Sequence, residues 1–208
     1  TGLVVAMSSR LLQFDETALR ASLGNMKPSS ACALGLAACC RSLGSFSDYR
    51  RKAGLPPRSE PFDTASQLWD LIVLPKAGDA MHPLIGVCDE LLTLIPGEDD
   101  PWNDSAAFAD DAVAALYYCV STLVENDPAN ATYALRRSYE ATDHLATEKL
   151  GLSVIRKQDE VEILSAHCIQ LELHRQLRDR HLVQVNDLKT LRAMAQIETI
   201  FDEAPFPS

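Results

Sequence analysis

The chain has 208 residues, of which 47% are hydrophobic and 23% charged, and its formal net charge at pH 7 is −10. A chain of this length can bury enough apolar surface to fold without a disulfide or metal scaffold. The acidic balance argues against a general nucleic-acid or anionic-membrane binder, because affinity for phosphate groups needs clustered Lys and Arg. We therefore expect no nucleic-acid partner and no membrane partner.

The acidic residues are concentrated in one quarter of the sequence. Residues 60–111 carry twelve acidic side chains and a single basic one, Lys76. Helix N-termini account for some of these acids, because carboxylates there interact favourably with the helix dipole. The acids from Glu98 to Asp104 are only partly explained in this way, so this loop is a candidate interaction surface. Charge reversal at Asp99 and Asp100 should weaken the binding of a basic partner.

The sequence predicts an N-terminal extension at 1–14, a single helical domain at 15–203 and a tail at 204–208. Because Thr1 is not an initiator, we expect the chain to be processed or to carry added residues, with Met7 as the natural start. The first residues lack the basic region and cleavage site of a secretory signal. Six cysteines occur without any C-x-x-C pair, which is typical of thiols packed in a reducing compartment. We therefore expect a cytoplasmic protein.

The spacing of apolar residues predicts helices and no strand in the first half of the chain. The expected helices lie at about 15–23, 29–43, 64–74 and 83–95, with Asp15 as the N-cap of the first. The second helix is lined with Ala and Cys, which let neighbouring helices approach closely, so it should be central and buried. The basic run at 50–52 is expected to end this second helix, where cations complement the dipole.

Longer helices are predicted in the second half, where proline and glycine become rare. A fifth helix is expected at 105–124, capped by Asp104, and a sixth begins after Asp127-Pro128 and ends before Gly151. A seventh begins near Lys157 and either continues to about 201 or breaks near Asn186 to give an eighth. Short connections between similar helices indicate an antiparallel arrangement. The predicted fold is all-α, a single-domain antiparallel bundle of about seven or eight helices.

The common nucleotide-binding and nucleophile signatures are absent from the sequence. There is no G-x-G-x-x-G, no P-loop, no G-x-S-x-G and no H-E-x-x-H motif. We therefore predict no catalytic residue and no cofactor, and favour a protein that is not an enzyme.

Glu140, His144 and Glu148 are the best candidates for metal ligands. Their spacing of four places them on one face of a helix. Ferritin-like di-iron sites use a spacing of three on each of two helices, whereas this chain has no second copy of the pattern. A solvated face with local ion pairs is the favoured explanation, and a metal or small-molecule site near Glu140 and His144 is the alternative. Metal analysis of the purified protein would distinguish them.

Several helix patterns carry a family resemblance. They are Leu-Ala-Ala-Cys-Cys-Arg at 36–41, Gln-Leu-Trp-Asp at 67–70, Asp-Asp-Ala at 110–112, Asn-Asp-Pro at 126–128 and Arg-Arg-Ser-Tyr-Glu-Ala-Thr-Asp at 136–143. From about Asp15 to Phe201 the chain resembles the YjaG-like proteins, a bacterial family of unknown function. The resemblance implies an all-helical cytoplasmic bundle without known catalytic residues, associated with histidine-kinase signalling by gene neighbourhood alone. We therefore expect a non-enzymatic protein-interaction or signalling-associated module, whose partner is another protein or a second copy of the chain.

Overall fold

The computed structural model describes residues 11–73, 81–95, 104–152 and 157–202. These residues contain helices and no strand, so the predicted all-α class is confirmed. The helices are α1 (Glu16–Leu23), α2 (Pro28–Ser42), α3 (Gly44–Lys52), α4 (Glu60–Val73), α5 (His82–Thr93), α6 (Asp104–Val124), α7 (Asn130–Lys149), α8 (Glu160–Ser165), α9 (His167–Gln184) and α10 (Leu188–Ile197).

Helices α2, α6 and α7 pack against one another at the centre of the bundle. Every side chain of α2 from Ala31 to Cys39 is buried, which confirms the central position predicted for this helix. The contact is close because Gly35 has no side chain. A Cβ atom there would lie 3.1 Å from the Cβ of Ala134 and 3.4 Å from the Sγ of Cys119.

The remaining helices surround this centre. Helices α3 and α5 pack on α6, and α4 and α10 pack on α2. Helix α9 contacts both α2 and α7, whereas α1 contacts α7. Helix α6 is long and apolar enough to cross a membrane by length and composition, yet 67% of that stretch is buried inside the bundle, as expected for a core helix.

The prediction that the basic run at 50–52 ends the second helix is wrong. Helix α2 ends at Ser42, and the run forms the last turn of the separate helix α3. This helix forms because its apolar face is buried. Phe46 is fully buried and Tyr49 nearly so, in a cluster that includes Val113 of α6.

The helix predicted to begin near Lys157 is interrupted twice. Ala166 adopts an extended conformation, with ψ of 138°, which separates α8 from α9. The Gln170 side chain lies across this break, where its Nε2 donates to the carbonyl oxygens of Leu164 (2.8 Å) and Leu12 (3.0 Å). The second break, predicted near Asn186, is confirmed by its φ of 60°.

Helix ends follow the predicted cap chemistry in part. The Oδ1 of Asp15 accepts from the backbone N–H of Ala18 at 2.9 Å, and Gly151 ends α7 with φ of 67°. Asp127 does not cap α7 directly, because its Oδ1 accepts from Ala129 N and the helix begins at Asn130.

Some predictions fall outside the described residues, which do not include 1–10, 96–103, 203–208 or the side chain of Asp104. The Glu98–Asp104 surface and the predicted domain limits therefore remain predictions.

Candidate functional site

Glu140 and Glu148, predicted to share one face of a helix, have different surroundings on α7. The Oε1 of Glu140 accepts a hydrogen bond from Arg136 Nε at 2.8 Å, and its Oε2 lies 3.5 Å from Arg137 Nη1. Glu148 is exposed. Within the described residues, no group of three His, Cys, Asp or Glu side chains could hold a metal ion. The geometry therefore gives the metal hypothesis, which includes His144, no support, and it stays a prediction.

His144 lies beside a buried acid, Asp111 of α6. The Asp111 side chain is 4% exposed, its Oδ1 accepts from Arg137 Nη1 at 3.1 Å, and its Oδ2 lies 3.3 Å from His144 Nδ1. This carboxylate, within hydrogen-bonding reach of the imidazole, raises the pKa of His144 against the opposing effect of burial. Burial also raises the pKa of the neighbouring carboxyls of Asp110 and Asp143. Asp110, Asp143 and His144 therefore each bind a proton more readily in the folded protein than at their ordinary pKa values.

Arg41, near the end of α2, forms a buried ionic network that sequence reasoning missed. Its Nε and Nη2 donate to the two carboxylate oxygens of Glu172 at 2.9 and 2.8 Å, and its Nη1 donates to Asp179 Oδ2 at 2.7 Å. Burial alone would lower the pKa of Arg41, but these two carboxylates outweigh it and raise the pKa. Arg41 is only 1% exposed, so the network is closed to solvent and its role is structural.

The same network holds the segment that follows α10. Arg178 donates from Nη1 and Nη2 to the two carboxylate oxygens of Glu198 at 2.6 and 2.8 Å, and Arg175 donates to Asp202 at 2.7 Å. Between Glu198 and Asp202 in the sequence, Ile200 is 2% exposed, and its backbone N–H donates to the Arg41 carbonyl oxygen. The ionic groups thus join α2, α9 and the segment 198–202.

The six cysteines are free thiols. Burial raises the pKa of Cys88 to about 12 and raises that of Cys119 as well. Since the thiolate is the reactive form, these two buried thiols stay protonated near neutral pH and pack as small apolar side chains.

A surface groove of about 370 Å³, here called the α1–α9 groove, opens between the segment 12–15, α1 and α9. Its aliphatic lining comes from Leu12, Ala18, Leu19, Leu34, Leu135, Leu173 and Leu177. Leu34 is 1% exposed and belongs to the central core, whereas Leu177 at the edge is 52% exposed. The groove therefore offers an apolar path from the surface to the core.

The polar side chains of the α1–α9 groove differ in the hydrogen-bond and ion-pair partners that they already have. Asp15 is used as a helix cap, and Gln176 donates from Nε2 to Glu172 Oε1 at 3.0 Å, which connects the groove to the buried network. Arg180 donates from Nη2 to the hydroxyl of Ser22 at 2.6 Å. No carboxylate of the described residues lies within ion-pair distance of Arg180, so its charge is available to a ligand.

A second cavity of about 500 Å³, the α3–α6–α7 cavity, lies on another part of the surface. It is lined by Gly44, Ser45, Asp48, Lys52, Ser105, Phe108, Leu145, Glu148 and Phe201. The rings of Phe108 and Phe201 meet edge to face, with centroids 5.9 Å apart and an interplanar angle of 76°. Of the three predicted ligands on α7, only Glu148 reaches this cavity.

The fold occurs in a solved structure. The crystal structure of a DUF416 family protein from Shewanella baltica matches this chain with a TM-score of 0.71 and 13% sequence identity, over 85% of this chain and 92% of that chain. No family model and no curated protein matches the sequence. The two chains share an all-helical fold, and the solved one comes from a family of unknown function.

Proposed function

We propose that this protein is a non-enzymatic interaction module that binds an amphipathic segment of a partner protein in the α1–α9 groove. The observation that carries the proposal is an apolar groove that reaches the core at Leu34 and leaves Leu177 half exposed at its edge. Apolar side chains entering it would leave water, which favours binding by roughly 25 cal/mol per Å² of buried apolar surface. Its volume falls in the range of about 300–1,000 Å³ usual for ligand pockets.

Arg180 specifies the polar part of the partner segment. Its guanidinium has a neutral partner, the Ser22 hydroxyl, and carries donors that match a carboxylate. The segment should therefore present aliphatic side chains along one face and an Asp or Glu beside them. An amphipathic helix laid into an apolar groove is a common recognition mode with these features.

Membership of the YjaG-like family and an association with signalling form part of the same proposal. They are supported by the helix patterns of the sequence and by the fold shared with the DUF416 family protein. A cytoplasmic location is proposed because six free thiols suit a reducing compartment.

Selection of displayed random peptides against the purified protein tests the proposal. We expect the selected peptides to combine aliphatic residues with an acidic one, and to bind less tightly as salt is added. Leu177→Asp should abolish binding by placing a charge at the apolar edge, and Arg180→Gln should weaken binding to acidic peptides by roughly tenfold.

The matched control is Ile197→Asp, which introduces the same charge at an apolar residue that is 82% exposed and does not line the groove. This variant should bind the selected peptides like the original protein. The proposal is wrong if no peptide is enriched, or if the selected peptides bind Leu177→Asp and Ile197→Asp equally well.

A further inference from the structure

We propose that the α3–α6–α7 cavity binds a small organic ammonium ion that also carries a hydrogen-bonding group. The residues involved are separate from the α1–α9 groove, so this site is independent of the proposed protein interaction. The inference rests on three features of the cavity: its aromatic rings, a carboxylate without an ion-pair partner in the described part of the chain, and an unpartnered buried hydroxyl.

The aromatic rings supply the surface that organic cations prefer. Phe108 is 6% exposed and forms part of the inner wall, whereas Phe201 is 42% exposed. The two rings meet edge to face, and both line the cavity. A cation within about 6 Å of such a ring is attracted by its quadrupole.

One carboxylate of the cavity has no ion-pair partner among the described residues. Lys52 Nζ lies 2.9 Å from Asp48 Oδ2, and Arg51 also pairs with Asp48, so that acid is already neutralised. Glu148 has no cation within ion-pair distance among the residues that the structure describes. Glu148 is therefore the carboxylate of this cavity with which an ammonium group would pair.

Ser45 of α3 supplies the third feature. The residue is 2% exposed and lines the cavity, yet its hydroxyl has no hydrogen-bond partner within the described ranges. Buried hydroxyl groups normally find a partner. A hydroxyl or amide of the ligand that reaches the base of the cavity would provide it.

Calorimetric titration with choline tests the site, because choline joins a quaternary ammonium to a hydroxyl. The comparison ligand is its uncharged carbon isostere, dimethylbutanol, which has the same shape. Choline should bind roughly fivefold more tightly than the isostere, the scale of a cation–π contact. Equal binding of the two compounds, or no binding of choline, would overturn the proposal.

Three variants locate the site. Glu148→Gln and Phe201→Ala should each reduce the preference for choline over its isostere, whereas Ser45→Ala should weaken both compounds equally. Leu177→Asp, in the other groove, should bind choline normally, which separates this site from the proposed protein interaction. Circular dichroism confirms that each variant is folded. Retention of the full choline preference in both Glu148→Gln and Phe201→Ala would refute the assignment.

Discussion

At the scale of single residues, the most consequential contacts are the long-range ones of Arg41. Its guanidinium bonds to Glu172 and Asp179, which lie 131 and 138 positions later in the chain. A buried ion pair gains little over apolar packing, but removal of one partner leaves an uncompensated charge in the interior. Arg41 is therefore more important for stability than a surface arginine in an ion pair.

Replacement of Arg41 by Met should lower the free energy of unfolding by about 3–5 kcal/mol, because Glu172 would remain buried without its cation and Asp179 would keep only Arg178. Urea denaturation followed by circular dichroism measures this loss. Arg192→Met is the control, since its ion pair with Asp70 is partly exposed and should contribute at most about 1 kcal/mol. Similar losses in the two variants would contradict the structural role of Arg41.

The pair of His144 and Asp111 predicts a pH dependence of stability. The pKa of His144 in the folded protein is raised above its ordinary value of 6.5, so the folded state binds the proton more tightly than the unfolded state. The stabilisation is therefore complete below pH 6.5 and is lost as the pH rises through the folded-state pKa.

Comparison with His144→Gln isolates this effect, because Asp110 and Asp143 are present in both proteins. The stability of the original protein relative to the variant should be greater at pH 5.5 than at pH 8.5, as measured by thermal unfolding. A difference that stays constant between these pH values, or that grows towards pH 8.5, would exclude the proposed ion pair.

Local sequence patterns do not predict which residues from distant parts of the chain become partners. Arg41 stands in a stretch of Ala and Cys, but nothing near it in the sequence shows that α9 supplies carboxylates to it. Glu140, His144 and Glu148 share a helix face as their spacing predicts, and the pair of Glu140 with Arg136 follows from the same spacing. The position of His144 beside Asp111 and that of Glu148 at the α3–α6–α7 cavity depend on how the helices pack.

At the scale of elements, the sequence predicts helices well where caps and breakers are local. Asp15, Gly151 and the break at Asn186 behave as predicted because each acts on its own few residues of backbone. The break at Ala166 was not predicted, since the apolar stripe continues from Val161 to Leu171 without a glycine or proline. The side chain of Gln170 makes hydrogen bonds at that break, and the periodicity of apolar residues in the sequence does not predict them.

The close packing of α2 predicts a steric effect at Gly35. Gly35→Val should destabilise the protein by about 1–3 kcal/mol, because its side chain would meet Ala134 and Cys119. Gly86→Val is the matched control, since a Cβ atom at this position of α5 meets nothing within 4 Å. The control should change stability by no more than about 0.5 kcal/mol. Equal denaturation midpoints would show that the three central helices are not in close contact at Gly35.

At the scale of the whole molecule, the ionic network of Arg41 is buried, whereas the α1–α9 groove and the α3–α6–α7 cavity open at the surface. Gln176 connects the network with the α1–α9 groove, because it lines this groove and donates to Glu172 of the buried network. The network fixes α9 against α2, and α9 in turn forms one wall of the groove. A wall held in place in this way would reduce the ordering cost of the proposed binding.

The spacing of apolar residues predicted the fold class, and the acidic charge is the ground on which we expect no nucleic-acid or membrane partner. They did not predict either cavity, because each is lined by residues from distant parts of the chain, such as Leu34 with Leu177 and Ser45 with Phe201. The acidic surface Glu98–Asp104 remains a separate prediction of the sequence.

Amide NMR of the isotope-labelled protein, titrated with one of the selected peptides, shows whether the peptide binds in the α1–α9 groove. The proposed interaction predicts that the largest chemical-shift changes lie in the segment 12–15, in α1 and in α9 around Leu177 and Arg180, with little change around Ile197. Shift changes centred on any other surface, with the α1–α9 groove unaffected, would contradict it.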